Sequence, residues 1–153
     1  MNEETKQYAD KDIHVIQNNS SDMTALKDAS VDVAFTSNFL EHLPSKEELL
    51  TTLAETNRVL RRGGRFLILQ PNIRFLHGEY WDFLDHHIPL TDRTLIEALE
   101  LTGFHIIEVR PRFLPFTTKS RMPQHPWLIR LYLLVPPAQW LLGKQAWVVA
   151  VKP

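Results

Sequence analysis

Asp85-His86-His87 places a carboxylate beside two imidazoles. A histidine, with an unperturbed pKa of ~6.5, suits general-base removal of a proton from an acceptor hydroxyl. His86 and His87 are therefore the candidate bases, and Asp85 is the candidate orienting carboxylate. The competing reading makes both histidines surface or packing residues. Glu41-His42 is a second acid–imidazole pair, which either joins a site or braces the helix that follows. Glu79, Tyr80 and Trp81 could shape an acceptor pocket, while Phe75, Tyr80, Trp81 and Phe83 also suit core or lid packing. His77, His86 and His87 lack zincin spacing, and the chain has no cysteine, so no metal ligands are assigned.

Composition limits the setting of this chemistry. The 153 residues make one domain, 1–153, able to bury ~68–70% of its unfolded surface. A net charge of −1 gives no global field for nucleic acid. Without cysteine there are no disulfides and no thiolate nucleophile, which suits a cytoplasmic protein. The polar, acid-rich start is not a signal peptide. The apolar region Trp127–Leu142 is broken by Arg130 and Pro136-Pro137, too short for the ~20 residues a transmembrane segment needs.

The elements that must position the candidates follow from periodicity. Glu3–Ala9 reads as the end of a helix, and Asp12–Gln17 as a strand. After a polar loop at 18–22 and a turn at Asp28–Ser30, Val31–Thr36 reads as a buried strand. Ser45 and Glu48 form a capping box for a helix with Leu49, Leu50, Leu53, Ala54 and Leu60 on one face. Arg58, Arg61 and Arg62 fall in its last turns, and Gly63-Gly64 ends it. Arg65–Gln70 is a strand with the pattern of burial on both faces. Ile73–Pro89 is a long functional loop with one helical turn. Thr91 caps a helix through Leu95, Ile96, Leu99 and Leu101, which Gly103 ends. His105–Val109 is a strand and Arg112–Gln124 irregular. Helical segments begin at Pro126 and Pro136, reading as helix packed over the sheet or, alternatively, as a lipid-facing surface. Gln145–Val151 is the last strand. Strands alternating with helices imply an α/β fold with a mostly parallel sheet and ligands beyond the strands' carboxyl ends.

Asp22-Met23 after one strand, SNFLEHL after the next, Arg-Arg-Gly-Gly before RFLILQPN, and Thr102-Gly103-Phe104 before a strand together resemble the class I S-adenosylmethionine-dependent methyltransferases. The nearest resemblance is to small-molecule enzymes found near surface-polysaccharide pathways. It implies a Rossmann-like sheet, mostly parallel with an antiparallel C-terminal strand, and methyl transfer from S-adenosylmethionine to a small acceptor such as a sugar or lipid-linked intermediate. It also implies that Asp22 accepts from the adenine amino group and the Met23 amide meets the ring. Thr36, Ser37, Asn38 and Phe39 would line the methionine part, with Leu40 and His42 close behind. Asp22 read by itself is a turn or cap residue.

The family opens with a strand, a Gly-rich turn and a helix, and its second strand ends in a ribose-binding acid. The first glycine here is Gly63, and Asn2–Tyr8 resembles the residues just after that second strand. The expectation is an N-terminally truncated domain lacking the first two family strands, with impaired activity. Its unpaired strand edge would make it a homo-oligomer, exchange a strand between copies, or rearrange its N-terminal strand. The alternative function is a non-catalytic remnant serving as an oligomeric interaction module.

Overall fold

A computed structural model describes residues 15–116 and 125–153. The helix read at 3–9, residues 12–14 of the first strand and the later part of the irregular segment 112–124 lie outside them. Val15–Gln17 form no strand and are exposed.

Among the described residues, four strands form one sheet in the order β1-β2-β4-β3, with β1 at Val31–Ser37, β2 at Leu60–Pro71, β3 at His105–Leu114 and β4 at Gln145–Val151. β1 and β2 are parallel neighbours, Ala34 beside Phe66 and Thr36 beside Ile68. β4 is inserted antiparallel to both β2 and β3. Three strands thus share one direction and the C-terminal strand opposes them, but only one of the three pairings is parallel. The expected mostly parallel sheet is met in strand direction and not in pairing.

Helix α1, Lys46–Val59, starts where expected, because the Ser45 hydroxyl accepts from the Glu48 amide at 3.2 Å. It buries Leu49, Thr52, Leu53, Thr56 and Val59. The expected face was misplaced in part: Leu50 and Ala54 are exposed. The end was misplaced too. Leu60 turns extended (φ −67°, ψ 137°) and pairs with Val31, so Leu60, Arg61 and Arg62 belong to β2. Gly63 and Gly64 instead serve a bulge, where the register passes from Val31–Leu60 to Val33–Arg65. Gly63 has φ 73°, and a Cβ at Gly64 would meet the Arg61 carbonyl at 2.7 Å.

Ile73–Pro89 contains the short helix α2, Ile73–Leu76, and a 3-10 segment, His77–Asp82. Helix α3, Asp92–Leu101, has the expected start: Thr91 and Thr94 exchange side-chain-to-amide hydrogen bonds across its first turn. Gly103, at φ 87°, follows its end, and Leu101 is exposed rather than on the buried face. Helices α4, Pro126–Leu134, and α5, Pro136–Leu142, form a hairpin. α5 rests on β3, whereas α4 buries no residue and reaches β3 through Tyr132, so the expected packing over the sheet holds mainly for α5.

Phe66, Ile68, Val148 and Ala150 face α1 and α3 and form the core with Leu53, Leu95, Leu99 and Phe104. Val33 and Phe35 lie on the other face and are 52% and 62% exposed. The reading of β1 as a buried strand is therefore corrected: it is the outermost strand, and no described element covers that face of it. Among the described residues no helix is long and apolar enough to cross a membrane.

Candidate functional site

The chain leaves β1 through Asn38, whose φ of 47° makes the sharp turn that asparagine tolerates, and the Asn38 amide donates to the Leu69 carbonyl at 3.0 Å. A one-turn 3-10 segment, Leu40–His42, follows. Two groupings flank this corner.

The first is a cleft of roughly 370 Å³, whose lining includes Ser20, Met23, Leu26, Thr36, Phe39 and Thr52. It joins the loop after residue 18 to the carboxyl end of β1, where α/β sheets bind ligands. Of the predicted cofactor residues, Met23, Thr36 and Phe39 meet here. Asp22 and Asn38 are exposed in the adjoining turns. The Asp22 carboxylate accepts from the Thr24 amide at 3.2 Å, the local turn bond that its residue type favours. The Met23 amide, expected to meet adenine, donates to Glu55 at 2.9 Å. Glu55 also receives Arg58 Nε and Nη2, at 2.8 and 2.9 Å. These guanidinium bonds, then the Met23 amide, hold the Glu55 carboxyl down at about 2.

The second grouping surrounds Glu41, which is 1% exposed. Gln70, at the end of β2, donates to its Oε2 at 2.8 Å, and His42 Nε2 lies 3.8 Å from its Oε1. The Glu41 carbonyl accepts the His87 and Ile88 amides at 2.8 and 3.1 Å. Glu41 thus ties β2 and the segment after residue 85 to the corner, and it braces these rather than capping α1. His42 Nδ1 donates to the Asp85 carbonyl at 3.0 Å and lies 3.2 Å from the Asp85 carboxylate. Asp85 therefore orients His42, not His86 or His87, contrary to the reading from adjacency. His86 is buried: its Nδ1 donates to the Tyr80 carbonyl at 2.7 Å, and its ring stacks on Phe83 and meets Tyr80 and His42. This bond leaves Nε2 as the free acceptor nitrogen. His87 is exposed. Burial, and after it the nearby Glu41 carboxylate, raises the Tyr80 phenol well above its usual range, so it stays protonated and donates to the Ile88 carbonyl.

Glu41, His42 and His86 each bring a metal-type donor atom within 4.8 Å of the others. Ligands ~2.1 Å from one ion would stand roughly 3–3.5 Å apart, so this is a polar cluster rather than a formed metal centre. Glu41, Gln70 and Tyr80 were missed as a unit. The available signal was the pairing of the acid in EHL with the glutamine that ends RFLILQ, two polar residues at the same end of adjacent strands.

The family model described as a methyltransferase domain matches residues 1–68. A S-adenosylmethionine-dependent methyltransferase from Archaeoglobus fulgidus superposes with a TM-score of 0.68 at 20% identity, over 99% of this chain and 73% of its own. Residues 1–68 are thus similar to a methyltransferase domain, and the described residues share the Rossmann-like fold of solved methyltransferases. A Bacillus halodurans protein described as a methyltransferase aligns at TM-score 0.65 and 16% identity, over 92% of this chain and 78% of its own. A chain of the complex between the Haloferax volcanii Trm112 methyltransferase activator and a protein described as a methyltransferase gives 0.68 and 19%, over 97% of this chain. This chain spans 65% of the length of that Haloferax chain. No curated protein matches significantly.

S-adenosylmethionine is the cofactor the family implies. The cleft fits an adenosyl group in being apolar and in lying at a strand's carboxyl end, and Asp22, next to the lining residue Met23, is exposed with one carboxylate oxygen turned to the Thr24 amide. The engaged Met23 amide is the one mismatch.

Proposed function

We propose that this chain is the greater part of a methyltransferase acting on a small-molecule acceptor, with S-adenosylmethionine held at the corner after β1. The cofactor would supply a methyl group bonded to a positive sulfur. Asp22 would accept from the adenine amino group, Met23 and Phe39 would enclose the ring, and Thr36, Asn38 and His42 would line the methionine portion. His86 is preferred to His87 as base. Its Nδ1 is anchored on the Tyr80 carbonyl, which directs Nε2 to receive the acceptor hydroxyl proton. A sugar or a lipid-linked intermediate is the acceptor class in view. The observation that carries the reading is the cleft joining Met23, Thr36 and Phe39.

Titration calorimetry with S-adenosylmethionine tests it. Asp22→Ala should weaken binding by about 1–3 kcal/mol, the scale of a lost hydrogen-bond partner. An unchanged affinity would remove Asp22 from the site. Glu55→Ala frees the Met23 amide and should strengthen binding if that amide meets the ring.

One observation favours a second reading. β1 ends the sheet with Val33 and Phe35 exposed, an edge that a strand of another copy could extend. In that case the chain serves as an oligomeric interaction module, with catalysis impaired or absent.

A further inference from the structure

The chain's small net charge conceals a division. From Val109 to Pro153 there are seven Lys and Arg residues and no Asp or Glu, whereas residues 1–108 hold ten against eighteen. The positive portion contains α4 and α5, where nine large apolar side chains from Trp127 to Leu142 are exposed, among them Leu134 at 79%, Trp140 at 70% and Leu141 at 67%. Exposed apolar surface this concentrated marks an interaction site.

The hairpin is held rather than loose. The Tyr132 hydroxyl donates to the Phe113 carbonyl at 2.7 Å, and Gln139 Nε2 to the Leu133 carbonyl at 3.0 Å. Arg112 donates to the Gly143 and Leu141 carbonyls, both at 3.0 Å. The Tyr132 and Arg112 bonds tie the hairpin to β3 and the Gln139 bond closes it on itself, while the apolar side chains stay exposed. Beside it opens a cleft of roughly 560 Å³ that includes Arg74, Arg110, Arg112 and Trp140. Arg74 is paired with Asp92 and Arg110 with Glu108. Among the described residues Arg112 meets carbonyl oxygens and the rings of Phe75 and Trp140 but no carboxylate. Arg130 adds an exposed cation on α4 itself.

Apolar side chains and indoles on one short hairpin, with Arg130 on it and Arg112 beside it, match a bilayer interface: acyl chains take the first, the headgroup region the second and anionic headgroups the cations. We infer that the α4–α5 hairpin docks the protein on an anionic lipid surface. At nine and seven residues the helices are too short to cross a bilayer, so they lie in its plane. This surface stands apart from the cofactor cleft and does not rest on the methyl-transfer reading.

The test is co-sedimentation of the whole chain with vesicles of phosphatidylcholine and phosphatidylglycerol in equal parts, against phosphatidylcholine alone, at low and raised salt. Binding to the anionic vesicles that weakens with salt is expected. Arg130→Glu should weaken it by about tenfold or more, since each cation near the surface adds appreciably to binding. The double variant Leu134→Glu/Leu141→Glu should lose it while keeping the circular dichroism of the parent, because both positions are exposed. No preference for anionic vesicles, or undiminished binding by the double variant, overturns the inference. So does light scattering that shows a parent dimer which the double variant dissolves, since the patch would then be covered by a second copy.

Discussion

The two faces of the sheet are built from the same strands and differ in what covers them. Phe66, Ile68, Val148 and Ala150 point toward α1 and α3 and are almost wholly buried. Phe35, Leu67 and Trp147, one residue out of phase, point the other way, and there Phe35 is 62% exposed at the outer strand. VDVAFTS and QAWVVAV are both apolar, strand-forming sequences, yet β4 is buried along most of its length while β1 is largely exposed. Apolar composition sets what a strand is able to bury. Its neighbours decide what is buried.

The widest contrast is in stability. Phe104→Ala and Ile68→Ala in the covered half should cost about 3–5 and 2–5 kcal/mol, the range for large-to-small changes in a packed core. Phe35→Ala should cost under about 1 kcal/mol in urea unfolding, as exposed positions do. A large cost at Phe35 would mean that another copy or segment covers this face in solution. Next in size is association. Val33→Lys with Phe35→Lys should leave the unfolding midpoint nearly unchanged and convert any oligomer to monomer in light scattering, because charge blunts an open strand edge. An oligomer that survives would place its interface elsewhere. The smallest effect is at Glu55. Its carboxyl is held at about 2, below the ordinary 4.5, so the stabilisation is present above pH ~4.5 and is lost as pH falls toward 2. Glu55→Gln should flatten the acid limb of stability over that window and leave the alkaline side alone.

Much of the covered face was legible in the sequence. Ser45 and Thr91 announced two helix starts through side chains that accept an amide bond, and the β1–β2 parallel pairing followed from alternating elements. The end of α1 was not legible, since Gly63-Gly64 has the same composition as a helix stop or a strand bulge. Only the pairing of Leu60 with Val31, a long-range contact, separates them. The exposure of β1 was hidden for the same reason, because a strand's periodicity does not say whether a neighbour exists. At the site, residue types pointed to His86 and His87 alike. Burial and the Tyr80 carbonyl distinguish them, and Asp85 turned out to serve His42 across 43 positions instead of its sequence neighbour. The Glu41–Gln70 bond spans 29 positions, and it becomes readable once β1 and β2 are aligned as parallel neighbours.

The proposed cofactor site at the corner after β1 is tested most directly by a crystal structure of the chain grown with saturating S-adenosylhomocysteine. The expected density places adenine between Met23 and Phe39 within hydrogen-bond reach of Asp22, and the amino-acid end toward Asn38. An adenosyl group seated away from that cleft, or no bound molecule at saturation, would contradict it.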